Sequence, residues 1–167
     1  TGTSNTAVGY NALTALTTAT ANVAVGKEAL YSTTTGGSNT TLGHQAMYYG
    51  TESDSNVAVG TSALEKNVTG DDNTAIGYQS QYGASGQSHS NNTSVGYKSL
   101  HSITTATENT AIGHTSMLGI TTGGYNTAVG IQSLYRNQTG TGNVAIGKGA
   151  MEGVANNSHS NNTAVGY

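Results

Sequence analysis

The sequence predicts an all-β fold, a parallel β-solenoid or β-roll made of short stacked coils. Three observations predict it: a strict repeat, apolar residues at fixed places within the repeat, and a composition too poor in large side chains for a thick core. The spacing between repeats is 17 residues except for two steps of 19, and a period below about 20 is typical of stacked coils. Each repeat opens with an asparagine, at Asn5, Asn22, Asn39, Asn56, Asn73, Asn92, Asn109, Asn126, Asn143 and Asn162.

The composition fits a thin core shared between neighbouring coils. The 167 residues include no Phe, Trp, Cys or Pro, and 8% are charged, where roughly 25% is usual. The lack of proline favours a backbone paired in ladders. A formal net charge of −3 offers no basic surface, so we expect no nucleic-acid partner, and no apolar run is long enough for a membrane span.

The first segment of each coil is predicted to be a strand. The third residue after the asparagine is always a branched aliphatic, and we expect this column to face the core. The small residue before it should then face the other way. The aliphatic column is Val8, Val25, Leu42, Val59, Ile76, Val95, Ile112, Val129, Ile146 and Val165. The small-residue column is Ala7, Ala24, Thr41, Ala58, Ala75, Ser94, Ala111, Ala128, Ala145 and Ala164.

A second short strand is predicted further along each coil, where the eighth residue after the asparagine is Leu or Met in every complete coil except at Gln81. This column should form the other half of the core. A glycine always separates the two segments, which indicates a positive φ or a close backbone approach. The Leu and Met column is Leu13, Leu30, Met47, Leu64, Leu100, Met117, Leu134 and Met151.

A Ser-, Thr-, Gly- and Asn-rich turn closes each coil and is the expected place for insertions. Both 19-residue coils end in Ser-His-Ser-Asn, directly before the asparagine that opens the next coil. We therefore expect the two extra residues to loop out around His89 and His159, with Asn92 and Asn162 still in register. The chain is predicted to be a single repeat array over 1–167 and part of a longer fibre.

Few residues suggest a catalytic or metal-binding site. The repeated asparagines favour a structural amide ladder. His44 and His114 share one coil position, as do His89 and His159, but four coils place such partners roughly 19 Å apart, too far to share a metal ion. A homotrimer would bring three copies of one histidine together, although the variable position of His44 favours solvent. We predict no catalytic residue, cofactor or metal, and no enzyme activity.

Tyrosines and sequons give the remaining candidate sites. An outward row of tyrosines could stack on sugars, although packing between coils is the simpler explanation; the row is Tyr31, Tyr48, Tyr82 and Tyr135. Sequons mark possible glycosylation in a cell that glycosylates; they lie at Asn39, Asn67, Asn91, Asn92, Asn137, Asn156 and Asn161.

The motif Asn-Val-Ala-Ile-Gly at 143–147, with its nine variants, resembles the head repeats of YadA-like trimeric autotransporter adhesins. The longer form from Asn5 to Leu13 resembles repeats of the Asn-Thr-Ala-Val-Gly-Tyr type in phage tail-fibre and bacterial surface-fibre proteins. The resemblance implies a left-handed parallel β-roll with three chains side by side. It also implies an extracellular location, on a cell surface or a virion.

We therefore expect a structural segment of an extracellular fibre or filament, either a bacterial surface fibre or adhesin stalk or a phage tail fibre. The small residues of the alanine face suggest that another backbone comes close there, either the coil's own second strand or a neighbouring chain. We expect self-association as a homotrimer or filament, with this face or the edge beside it at the contact. The alternative is an adhesin that binds glycans or a cell-surface receptor through its turn loops and tyrosine row. An ice-binding solenoid is less favoured, because Val23 and Val57 interrupt the column of threonines.

Overall fold

The computed structural model describes residues 1–153 and 158–167. Over these residues it contains ten strands of three residues and no helix, and the strands form one parallel sheet in chain order. The predicted parallel solenoid is confirmed. The strands are β1 Thr6–Val8, β2 Val23–Val25, β3 Thr40–Leu42, β4 Val57–Val59, β5 Thr74–Ile76, β6 Thr93–Val95, β7 Thr110–Ile112, β8 Thr127–Val129, β9 Val144–Ile146 and β10 Thr163–Val165. We number the coils 1 to 10 by these strands.

The sheet keeps one register from end to end. Each strand residue pairs with the residue at the same coil position in the next coil. The 19-residue coils do not disturb this, because Thr74 pairs with Thr93 and Val144 pairs with Thr163. The prediction that Asn92 and Asn162 stay in register is therefore confirmed.

The predicted assignment of the two strand faces is wrong. The middle residue of the strand points into the solenoid, and Ala24, Ala75 and Ala111 have no exposed surface. The aliphatic residue after it points outward: Ile112 is 40% exposed and Val8 57%. The alanine column is thus internal and cannot be the contact with a neighbouring chain.

The Leu and Met column explains why only small residues, Ala, Ser or Thr, stand at the inward position of the strand. Leu30, Met47, Leu64, Leu100, Met117 and Leu134 are fully buried. They pack against the strand alanines in two clusters, one from Leu13 to Ala75 and one from Leu100 to Ala150. Long side chains from one wall fill a narrow interior, so the opposite wall must carry small ones. The prediction for this column is confirmed from Leu13 to Leu134, whereas Met151 is only partly buried.

The second segment of the coil is not a strand. Its residues alternate between ordinary and left-handed backbone, with φ near +50° at positions such as Glu28, Leu30, Gln45 and Met47. Hydrogen bonds between coils nevertheless continue, for example from Leu30 N to Ala46 O at 3.1 Å. The ladder therefore extends beyond the sheet through residues held in a conformation that non-glycine residues seldom adopt.

The glycine after each strand is required by the close stacking of coils. At Gly113 the φ is +135°, and a Cβ built there would lie 2.5 Å from the Gly130 carbonyl oxygen. Both the conformation and the space exclude a side chain. This confirms the predicted reason for the glycine column.

The extra residues of coil 5 form an exposed turn at Ser85–Gly86, closed by a hydrogen bond from Gln87 N to Ala84 O. The two extra residues are therefore looped out as predicted, but not at the expected place around His89, which is 1% exposed. His89 occupies the same place in coil 5 as Gly70 does in coil 4, and its carbonyl oxygen lies directly against Gly70. His159 is exposed, and the corresponding turn of coil 9 falls within 154–157, outside the described residues.

Candidate functional site

The outward side of the sheet is a continuous surface of threonine and aliphatic side chains, which we call the outer face. It consists of the first and third residue of every strand, and none of these is charged. Leu42 is 51% exposed, Ile76 39% and Ile146 41%. A row of exposed aliphatic side chains along a whole molecule is typical of a contact surface. Its members are the residues at both ends of strands β1 to β10.

An asparagine ladder runs beside the sheet. The Asn22 Oδ1 accepts hydrogen bonds from both the N–H and the Nδ2 of Asn39, at 2.9 and 3.0 Å. The Nδ2 of Asn39 also donates to the Ser53 carbonyl of its own coil at 2.7 Å. The same pattern recurs up the array, as at Asn126 and Asn143. The asparagines are therefore structural, as predicted.

Coil 5 has a polar interior. Gln81 replaces the usual Leu or Met and donates to the carbonyls of Thr74 and Asn92. Its Oε1 is buried without a hydrogen-bond partner, as are both ring nitrogens of His89. Burial lowers the pKa of His89 to about 4, because the uncharged ring is favoured away from water.

The predicted tyrosine row is present but discontinuous. Tyr31 and Tyr48 stack face to face, with ring centroids 4.8 Å apart and an interplanar angle of 4°. Tyr82 stacks in the same way on His101, and Arg136 lies over Tyr135. Rings that cover one another leave mainly their edges to a ligand, so this arrangement favours packing between coils.

A second aromatic column was missed by the sequence reasoning. Tyr78, Tyr97 and His114 stack in successive coils at 5.4 and 5.0 Å between centroids. They occupy the position just after the glycine, which also carries His44. The signal in the sequence is that tyrosine and histidine share this coil position in successive coils. Within 1–153 and 158–167, no group of three or more His, Asp or Glu side chains is arranged to hold a metal ion.

The sequon asparagines divide by burial. Asn39, Asn67, Asn92 and Asn137 are buried. Their Nδ2 groups already donate hydrogen bonds, for example from Asn67 to the Gly70 carbonyl. Asn91 and Asn161 are exposed, and Asn156 lies outside the described residues. Glycosylation at the exposed positions stays a prediction.

The part of the chain that the structure describes has no helix suited to crossing a membrane. Comparisons with protein-family models, with curated proteins and with solved structures found no match to this chain.

Proposed function

We propose that this chain is a structural segment of an extracellular fibre, on a cell surface or a virion, and that it self-associates through the outer face. The observation that carries the proposal is the uncharged, aliphatic outer face left exposed on a single chain. Each coil contributes one or two aliphatic side chains to this face. Adding coils therefore lengthens the shaft and the contact together.

The thin interior supports association. A typical coil buries mainly one Leu or Met, one small strand residue and a second small residue, as in coil 2 with Leu30, Ala24 and Ala29. Such coils bury little apolar area per residue, and covering the outer face would supply more. The resemblance to trimeric adhesin heads favours three chains. A shaft of this kind needs no catalytic residue, and we assign none.

The oligomeric state of the chain tests the proposal. We expect multi-angle light scattering to give a mass of about three chains, with a thermal midpoint that rises with concentration. The double variant Ile76→Lys with Ile112→Lys should be monomeric, because it places two charges on the outer face. A monomeric wild type at micromolar concentration would contradict the proposal.

A matched control separates association from added charge. Thr61→Lys with Ile131→Lys adds the same charge just beyond the outer face, at exposed positions where other coils carry Lys27 and Lys148. This variant should remain oligomeric. Dissociation of both variants would show that the outer face has no special role.

Ice binding is a second candidate, favoured by the regular exposed methyl groups on the outer face. Threonine and valine would repeat about every 4.8 Å along the sheet, although Val23, Val57 and Val144 interrupt the threonine column. A monomeric wild type that inhibits ice recrystallisation would support this function. An oligomer without that activity would support the fibre.

A further inference from the structure

A groove is formed by the later parts of coils 2 to 5, away from the strand residues of the outer face. Its volume is about 320 Å³, near the lower end for small-molecule sites. The inserted turn of coil 5 supplies part of its wall. Its lining residues are Ser32, Tyr49, Thr51, Val68, Ser85 and Gly86.

Tyr49 differs from the tyrosines that stack face to face. Its ring meets Tyr48 at an angle of 71°, with centroids 4.7 Å apart, and the residue is 46% exposed. A perpendicular contact of this kind leaves at least one face of the Tyr49 ring free of an aromatic partner. An exposed ring face is an apolar surface on which a flat, partly apolar ligand can stack.

The walls define the chemistry of such a ligand. None of the lining residues is charged. Lys66 shares the coil position of Tyr49, but its Nζ lies 4.4 Å from the centre of the Tyr82 ring. Ser32, Thr51 and Ser85 supply hydroxyl groups, and the Thr51 hydroxyl donates to the Val68 carbonyl, so its oxygen can still accept. The ligand should therefore be neutral, with hydroxyl groups around an apolar ring face.

We propose that the groove binds one pyranose ring of a neutral saccharide. The C–H face of the sugar lies on Tyr49, and its hydroxyl groups meet those of Ser32, Thr51 and Ser85. The Ser85–Gly86 turn closes the groove, and a Cβ built at Gly86 would meet no atom within 4 Å, which leaves room at this rim. The site does not depend on self-association.

The second block of the array provides an internal comparison. Ser32, Tyr49, Thr51 and Val68 correspond, 70 positions later, to Ser102, Gly119, Thr121 and Gln138. Ser32 and Thr51 are matched by Ser102 and Thr121, but glycine stands where the first block has Tyr49. Tyr49→Gly therefore introduces a residue that the same coil position already accepts.

Saturation-transfer NMR with the methyl glycosides of glucose, galactose, mannose and N-acetylglucosamine tests the proposal. At least one should bind the wild type with millimolar affinity. Tyr49→Gly should weaken that binding about tenfold or more, since stacking on an aromatic ring supplies most of the contact. Tyr49→Phe keeps the ring and should bind within about twofold of the wild type.

Tyr78→Thr is the matched control, because Tyr78 is similarly exposed at 44% but its ring is stacked on Tyr97. Thr61 shows that its coil position accepts threonine. This variant should bind like the wild type, and circular dichroism melts should show all variants folded. The proposal is overturned if none of the four glycosides binds, or if Tyr49→Gly binds as well as the wild type.

Discussion

At the scale of single residues, the distance to the next coil decides which side chains each position accepts. The strand alanines face a narrow interior already filled by Leu and Met. The glycines lie directly against the next backbone, whereas residues only one position away face solvent. Neighbouring positions should therefore differ sharply in their tolerance of substitution.

Gly113→Ala should destabilise the fold by about 2–4 kcal/mol, because it combines a strained φ with a clash against the Gly130 carbonyl. Gly86→Ala is the control, with a φ of +75° but open space around its Cβ. It should lose only about 1 kcal/mol. Urea unfolding measures the free energy of unfolding of both variants. Equal losses would show that backbone conformation, not the distance to the next coil, is the reason for the glycine at position 113.

Ala111→Asp should destabilise the solenoid by about 3 kcal/mol or more, because it buries an unpaired carboxylate. Ile112→Asp places the same group on the outer face and should change the stability of a single chain by less than about 1 kcal/mol. Thermal melts at low protein concentration compare them. A larger loss of stability for Ile112→Asp than for Ala111→Asp would show that the aliphatic column, not the alanine column, is internal.

At the scale of the coil, coil 5 is the most polar element of the interior. The two hydrophobic clusters end at Ala75 and resume at Leu100. Between them lie Gln81 and His89, whose unpartnered atoms lower the stability of this coil. The coil also carries the inserted turn that lines the proposed saccharide groove.

Gln81→Leu should stabilise the chain by about 1 kcal/mol, because it removes a buried oxygen without a partner and joins the two clusters. The gain is limited by the loss of the hydrogen bonds from Gln81 to Thr74 and Asn92. Urea unfolding gives the difference. A loss of stability would mean that these hydrogen bonds outweigh the unpartnered oxygen.

Stability should fall in acid because of His89. Its pKa is about 4 when folded and 6.5 when unfolded, so the unfolded chain binds the proton first as the pH falls below 6.5. The folded state should therefore lose about 2–3 kcal/mol from this residue between pH 7.5 and 4.5. Below the folded pKa the loss should level off.

The His89→Ala variant isolates this effect from the titration of carboxylates. Alanine occupies the same coil position at Ala19 and Ala106, where it is buried. The variant should lose less stability than the wild type between pH 7.5 and 4.5, as measured by urea unfolding at both values. Parallel pH profiles would show that the His89 ring is accessible to protons in the folded state.

The sequence predicted the repeat, the register and the asparagine ladder, because these depend only on spacing. The predicted assignment of the internal strand face was wrong, since alternation along a strand is the same whichever side is buried. The size of the interior decides that, and size depends on how far Leu30 or Met47 reaches across the coil. The loop of coil 5 was predicted at the wrong place because both 19-residue coils share the Ser-His-Ser-Asn sequence that contains His89. The residues that loop out are Ser85–Gly86, which lie before that sequence.

At the scale of the whole molecule, the outer face and the groove are separate surfaces. The outer face comes from all ten strands, whereas the groove comes from coils 2 to 5. A fibre could therefore assemble through the first surface and present the second. We expect Ile76→Lys with Ile112→Lys to remove self-association but leave sugar binding intact, as measured by light scattering and saturation-transfer NMR. Loss of both would indicate that the groove forms only in the assembled state.

The direction of the asparagine ladder has a mechanical consequence. Its hydrogen bonds, like those of the sheet, join each coil to the next, so tension along the axis pulls these bonds apart coil by coil. Each coil that detaches would release 17 residues, converting about 5 Å of folded length into nearly 60 Å of extended chain. A shaft of this design would lengthen stepwise under load and absorb a sudden pull before its attachment failed.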